Sequence, residues 1–334
     1  MSSGSPASMK IILISGIAVF VGLMLLSMAM KKALRPDESE VVRISASASP
    51  FDMDRAFADL KFITGLGPRP AGSEKAASMR EYLRRELENA GLAVSEHAFD
   101  ADTPLGVIKM VNLAAEVGGD RPGLILLTNH YDTKHFTDFE FVGANDGGST
   151  TAWMLEMARA LGPKRAGRTL RLVWFDGEES FGRWSETDGL YGSRAYAALL
   201  KEKGELQSVG AVVNVDMIGD RYLCVARDPD APQWLKNAVW GTAQRLGYGR
   251  HFAAGGSGVQ DDHIPFRREG IPALEVIDFS YGGTIAQHRA NWHTANDTLD
   301  KVAPGSLKAV ADVIYHALPV IDTQLDRKGA TRNP

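Results

Sequence analysis

Cysteine is all but missing from this chain. Cys224 is the only one in 334 residues, which rules out an intrachain disulfide and any zinc site built on several thiolates. A structural or catalytic metal would therefore have to be held by His, Asp and Glu. A basic excess is missing as well: 37 Lys and Arg stand against 41 Asp and Glu, and the net charge of −4 leaves no footprint for nucleic acid. There is no internal repeat and no low-complexity array, and the apolar share is that of an ordinary globular protein. The single thiol does not report a redox compartment.

Long uncharged apolar runs are also absent, with one exception. Ile11 to Met30 carries no charge, and at about 1.5 Å per residue it reaches across the roughly 30 Å hydrocarbon core of a bilayer. A buried core helix is the competing reading, but one so uniformly apolar is rare at an extreme N terminus. The expected organisation is a short tail (1–10), a transmembrane or signal-anchor helix (11–30), a polar Ser- and Ala-rich linker (31–50), a zinc-dependent catalytic domain (51–328) and a C-terminal tail (329–334). Ser27-Met28-Ala29 offers small residues at the spacing of a signal-peptidase site, so secretion after cleavage is the alternative to a single-pass membrane anchor. Lys31, Lys32 and Arg35 after the span outnumber Lys10 before it, which by the flanking-charge rule favours a cytoplasmic domain. The chemistry below favours an extracytoplasmic one, and that is the expectation.

The rest reads as alternating elements. Phe51 to Leu66 has a helical pattern and is followed by a Gly- and Pro-rich turn, Gly67 to Gly72. Ser73 can cap the next helix, which places Ala76, Met79, Leu83, Leu87 and Ala90 on one face before Gly91. Val94 to Phe99 and Val107 to Ala115 read as strands, with a loop at Asp102 to Gly106. From Leu124 onward apolar strands (Leu124 to Thr128, Leu170 to Phe175, Ala211 to Val215, Ala273 to Ile277) alternate with helices (Trp153 to Leu161, Leu190 to Lys201, Trp234 to Leu246, Leu307 to Leu325). This alternation predicts an α/β fold: one globular domain with a central mixed, mostly parallel sheet flanked by helices.

Chemistry concentrates where strands stop. The run Leu170 to Phe175 ends at Asp176, Glu178 and Glu179, and adjacent acids repel, so one of their pKa values should rise unless a cation intervenes. That pairs a general base with a metal ligand, against the blander reading of a solvated acidic turn. Three apolar strands in succession finish on a zinc-type donor, His130, Glu179 or Asp216, and in a parallel sheet such ends converge. Asp146, on a Gly-rich connection, and His293 complete a set with Glu179. Either histidine alone is more often structural, but imidazole together with carboxylates points to zinc.

Gly67-Pro68-Arg69-Pro70-Ala71-Gly72-Ser73, His130-Tyr131-Asp132, Gly143-Ala144-Asn145-Asp146, Phe175-Asp176-Gly177-Glu178-Glu179 and Trp292-His293-Thr294 resemble, in order, the motifs of the zinc aminopeptidase and glutaminyl cyclase superfamily. The resemblance covers roughly Phe51 to Leu325. Within it the chain is most similar to the glutaminyl-peptide cyclotransferases, through Phe181, Trp184, Asp188 and Leu190-Tyr191-Gly192-Ser193-Arg194, and through Gln260-Asp261-Asp262-His263-Ile264-Pro265-Phe266 with Arg268. The resemblance implies a zinc-exopeptidase-like fold with Asp146, Glu179 and His293 as zinc ligands. It makes Glu178 the proton shuttle, Asp216 and Asp261 supporting acids, and Trp184, Gln260 and Trp292 substrate-binding residues. His130 and Asp216, with Asp146 bridging, match the positions of a second zinc in the aminopeptidase relatives, so one ion is expected and two are the alternative. The segment Asp278 to Ala290, with Tyr281-Gly282-Gly283 and His288, departs from the cyclase pattern.

The implied reaction is conversion of an N-terminal glutamine to pyroglutamate with release of ammonia, on a peptide or protein N terminus. The alternative is a membrane-anchored zinc aminopeptidase. A catalytically silent ectodomain is disfavoured because every ligand and base position is filled. The catalytic domain is expected to be a monomer.

Overall fold

The chain runs α1 (Met53–Gly65), α2 (Glu74–Asn89), β1 (Ala93–Thr103), β2 (Gly106–Val117), β3 (Arg121–His130), α3 (Gly148–Leu161), β4 (Arg168–Phe175), α4 (Tyr191–Glu202), β5 (Val209–Asp216), β6 (Ala226–Arg227), α5 (Gln233–Arg245), α6 (His263–Arg268), β7 (Ala273–Ile277) and α7 (Pro304–Ala330). This computed structural model describes residues 49–256, 258–282 and 290–330. The apolar run 11–30, nearly all of the linker, the end of the C-terminal tail, and Gly283 and His288 of the 278–290 segment lie outside them. Among the described residues no helix is long and apolar enough to cross a membrane.

The strands form one seven-stranded sheet in the order β1-β2-β4-β3-β5-β7-β6. Its middle, β4-β3-β5-β7, is parallel. The β1-β2 hairpin at one edge and the two-residue β6 at the other pair antiparallel. The sheet is thus mixed as expected, with its parallel character confined to the centre.

Apolar runs without alternation become central strands because both faces are covered. Ile125 and Leu127 of β3 join a large core with α1, α2, α3, α5 and α7, whereas Leu124 and Leu126 join a smaller one with α4 and α6. The connecting helices α3 and α4 accordingly lie on opposite faces. The chain passes from β3 to β4 on one side and then returns to place β5 on the other side of β3. Such a reversal opens a crevice beyond the carboxyl ends of the two strands. His130 closes β3 and Asp216 closes β5, so both side chains stand at that crevice.

Several element limits differ from the sequence reading. The loop at Asp102 to Gly106 is a two-residue turn, Pro104-Leu105, between strands that pair all the way to Thr103 and Gly106. Helix α1 begins after Asp52, whose side chain accepts from the amides of Asp54 and Arg55. Short α6 was legible only as part of a motif.

The Gly67 to Gly72 turn has an architectural purpose. Arg69 is fully buried and its guanidinium donates to the carbonyls of Tyr131 (3.0 Å), Val142 (2.6 Å) and Gly143 (3.1 Å). It thereby satisfies the backbone of two loops that lead into the crevice.

At the other end of the chain, Asp312 of α7 is buried and serves four donors. It accepts from the Ser49 amide (2.6 Å), the Ser49 hydroxyl (2.7 Å), Lys308 (2.6 Å) and the Tyr248 hydroxyl (2.7 Å). Ser49 is thereby tied to the C-terminal helix. Asp312→Ala leaves the Lys308 ammonium buried without its counter-charge, and we expect a loss of about 3–5 kcal/mol in urea unfolding. A loss within about 0.5 kcal/mol, the range of an ordinary surface change, would refute this role.

Candidate metal centre and active-site cavity

Asp146 stands between two imidazoles. Its Oδ1 lies 3.3 Å from His130 Nε2 and its Oδ2 lies 3.3 Å from His293 Nε2. On one side Asp216 Oδ1 approaches His130 Nε2 at 3.3 Å, and on the other Glu179 Oε1 approaches His293 Nε2 at 2.9 Å. Two donor triads result, His130/Asp146/Asp216 and Asp146/Glu179/His293, and within each the ligand atoms lie within 4.8 Å of one another.

The residues fit a metal on their own chemistry. Buried Asp146 Oδ2 accepts no well-aligned hydrogen bond, although the His293 ring stands 3.3 Å away, and a carboxylate oxygen away from water is costly unless a cation meets it. The donors are nitrogen and oxygen with no sulfur, a set that suits zinc. Burial would raise the Asp146 carboxyl, yet both imidazoles hold it below the usual carboxylate range. Burial disfavours charge on His293, but Glu179 and Asp146 outweigh it and push the ring up to about 10.

The loops are fixed by acids that are not in the triads. Asp132, two residues past the end of β3, accepts the amides of Glu178 (3.1 Å) and Glu179 (3.3 Å) and lies 3.5 Å from His130 Nδ1. Asp297 accepts the amides of Asn145 (2.8 Å) and Asp146 (3.1 Å) and the Tyr281 hydroxyl (2.7 Å). Gly147 then turns the chain into α3 at φ +71°, where a Cβ would stand 2.8 Å from the His130 ring. His293 itself adopts φ +55°, an unfavourable conformation for a residue with a side chain.

Glu178 sits next to Glu179 but differs from it in surroundings. Burial, then the charges of Asp261 and Glu179, push Glu178 well above the ordinary carboxylate range. Glu179 is also raised by burial, with His293 opposing the shift. Behind Asp261, which burial and neighbouring acids raise strongly, lies a polar network. Asn214 Nδ2 donates to Asp261 Oδ1 (3.0 Å) and Glu275 Oε2 (2.9 Å), while Thr128 donates to Asn214 Oδ1 (2.6 Å) and so fixes the amide. Glu275 Oε2 is 2.8 Å from His263 Nδ1. Burial and then Arg267 push His263 down to about 3, and burial pushes Glu275 well up. Burial thus disfavours charge on both partners of this contact.

These groups border a cavity of about 430 Å³. Its lining holds Asp146, Glu179 and His293, Glu178, Asp216 and Asp261, and Trp184, Gln260 and Trp292. The structure thus brings together every residue to which the sequence assigned a metal, catalytic or substrate role except His130, which lies beneath, buried against Asp146 and Asp216. Trp292 stacks on His293 at 3.9 Å between ring centroids and meets Phe279 edge-on at 5.2 Å. Phe279, from the departing 278–290 segment, also lines the cavity. Tyr281 instead turns inward to Asp297.

Sequence reasoning gave no role to Asp132, Asp297 or Lys134, whose Nζ lies 3.6 Å from Glu179 Oε2 and donates to Ser180 O at 2.7 Å. The only available signal for Asp132 was its place in the His130-Tyr131-Asp132 motif.

Asp297→Ala frees the amides that aim Asp146, and zinc affinity measured against a competing chelator should fall about 10–100-fold; unchanged affinity would refute the role. For His263, the unfolded chain binds a proton below the ordinary value of 6.5, whereas the folded protein does so only near 3. Its contribution to stability is present above pH 6.5 and is lost progressively as pH falls toward 3, with a limiting slope of about 1.4 kcal/mol per pH unit. His263→Gln should lose stability less steeply than wild type between pH 6.5 and 4, and parallel curves would contradict the assignment.

Comparison with known proteins agrees with the geometry. The model of peptidase family M28 matches residues 112–318. The glutaminyl-peptide cyclotransferase of Bos taurus is 28% identical over 285 residues, covering 73% of this chain and 77% of that protein. Among solved structures, an Acidobacteriales bacterium glutaminyl cyclase is 34% identical, with a TM-score of 0.78 over 83% of this chain and 97% of the other. The Porphyromonas gingivalis glutaminyl cyclase is 29% identical, with a TM-score of 0.72 over 82% and 99%. With the family model matched over residues 112–318 and the two solved structures matched nearly end to end, the chain belongs to peptidase family M28, among its glutaminyl cyclases.

Proposed function

We propose that the chain is a zinc-dependent glutaminyl-peptide cyclotransferase that closes an N-terminal glutamine into pyroglutamate and releases ammonia. The observation that carries this reading is the position of Glu178, buried and raised, in the same cavity as the Asp146/Glu179/His293 donors. The Acidobacteriales glutaminyl cyclase, at 34% identity, supports the same reading.

Asp146, Glu179 and His293 would hold the ion. When bound, zinc supplies Lewis acidity toward a carbonyl oxygen. The side chain of Glu178 takes a proton from the α-amine as the nitrogen bonds to the amide carbon. It returns that proton to the amide nitrogen as the carbon–nitrogen bond breaks and ammonia leaves. One proton passes from one nitrogen to the other and Glu178 is restored. Its raised pKa suits both halves of that transfer. Asp261, itself raised, adjoins Glu178 and limits how readily it ionises. Trp184, Trp292 and Phe279 wall the cavity, so the glutamine side chain can be held folded onto its own amine with water excluded.

A second reading rests on the second triad. His130, Asp146 and Asp216 share Asp146 with the first set, which suits a pair of metal ions and hydrolysis by an aminopeptidase. Zinc-loaded protein incubated with a Gln-initiated peptide separates the two. The cyclase releases ammonia from an intact chain, and Glu178→Gln should lower kcat about 10²–10⁴-fold with zinc content unchanged. Release of free glutamine alone would replace the cyclase by the aminopeptidase.

A further inference from the structure

The active-site cavity does not end at Trp184. Trp184 and Gln260 line a second hollow of about 430 Å³ on their outer side, where Glu186, Gly189, Arg194 and Arg268 join them. The Trp184 ring lies against the backbone of Gly189, where a Cβ would come within 2.6 Å of it. The indole is 43% exposed, so it forms a partition between the hollows rather than part of the core. A peptide whose first residue fills the inner cavity has an outlet past this ring.

The outer hollow carries two guanidinium groups and one carboxylate. Arg194 is fixed: its Nε donates to the Leu190 carbonyl (3.2 Å), and its terminal nitrogens donate to the carbonyls of Glu186 (3.0 Å) and Thr187 (3.2 Å). Its guanidinium lies 4.9 Å from the centre of the Tyr191 ring. All three oxygens are uncharged, and the nearby Asp188 carboxylate is itself taken up by the amides of Phe181 and Gly182 and the Tyr191 hydroxyl. Burial holds the Arg194 pKa below the usual value, opposed by Tyr191, helped by the approach of Arg268 and opposed again by Asp188. Arg268 reaches Glu186 Oε1 at 3.4 Å, with side chains 55% and 87% exposed. A pair so exposed contributes little and is easily exchanged for another carboxylate.

We propose that this outer hollow is a subsite for a carboxylate carried by the peptide substrate a short way beyond its N-terminal glutamine. The carboxylate comes from an acidic side chain or from the C terminus of a short peptide, since both present the same planar group to a guanidinium fork. Arg268 is its direct partner, Arg194 supplies fixed positive potential, and Glu186 is the internal competitor that the substrate displaces. The assignment rests on the cyclase reading for the identity of the substrate, but the charge preference of the hollow can be measured separately.

The test compares four tripeptides: Gln-Ala-Ala amide, Gln-Glu-Ala amide, Gln-Ala-Glu amide and Gln-Ala-Ala free acid. Ammonia release gives kcat and KM at low ionic strength, and calorimetry gives affinity. At least one carboxylate-bearing peptide should exceed the neutral one in kcat/KM by roughly three- to fivefold, through KM, and added salt should shrink the ratio. The amide-capped peptides identify a side-chain source and the free acid a C-terminal one. Arg268→Gln should bring the ratio to about one, whereas Glu186→Gln should raise it. Equal handling of all four peptides, or a ratio that survives Arg268→Gln, would overturn the proposal. If no peptide is cyclised, the cyclase reading fails on its own. The calorimetric ratio still decides the subsite: a preference abolished by Arg268→Gln supports it, and equal affinities refute it.

Discussion

Asp146 turns one carboxylate oxygen toward each of two imidazoles, His130 and His293, and the surrounding architecture serves to hold that orientation. Its amide and that of Asn145 are gripped by Asp297. The glycine that follows clears the His130 ring, and α3 then carries the chain away from the crevice. The two strands that reverse the sheet order deliver His130 and Asp216 from below, while the loop after β4 brings Glu179 from the side. A buried carboxylate is costly without cationic partners, so the placement of both histidines is tied to this one side chain.

The same electrostatics separates two neighbours of identical chemistry. Glu178 and Glu179 are both buried, but Glu179 faces His293 while Glu178 faces Asp261. One finds a cationic partner and the other an acid. A pair of adjacent glutamates is thereby divided into a donor for a cation and a group able to carry a proton, with the division made by what each side chain meets. The Thr128, Asn214, Glu275 and His263 network behind Asp261 extends this pattern into the sheet, where burial works against charge on the carboxyl and the imidazole alike.

Much of this was legible in the sequence because it follows from burial. Leu170 to Phe175 and its counterparts read as central strands since a strand covered on both faces has no polar side to show. Polar residues at the ends of those runs must then emerge together, and that argument located His130, Glu179 and Asp216. The hairpin was harder: β1, Ala93–Thr103, is an edge strand with most of its side chains at least partly exposed, so its second half carries no apolar signal. Asp132 and Asp297 escaped for another reason. Each acts by accepting backbone amides of distant loops, and a lone aspartate in a polar stretch looks the same whether it caps a loop or faces solvent. The Gly67 to Gly72 motif was visible as a turn, but the burial of Arg69 within it was not.

The three donors Asp146, Glu179 and His293 come from loops widely spaced along the chain, and one of them sits on strained backbone. An ion gripped by all three would act as a cross-link in a protein that has no second cysteine with which to make one. Closing long loops removes entropy from the unfolded chain, and a ligand that binds only the assembled site shifts the folding balance by mass action. The metal would then serve the scaffold as well as the chemistry, and its loss would loosen the carboxyl-end loops before the double-faced core beneath them.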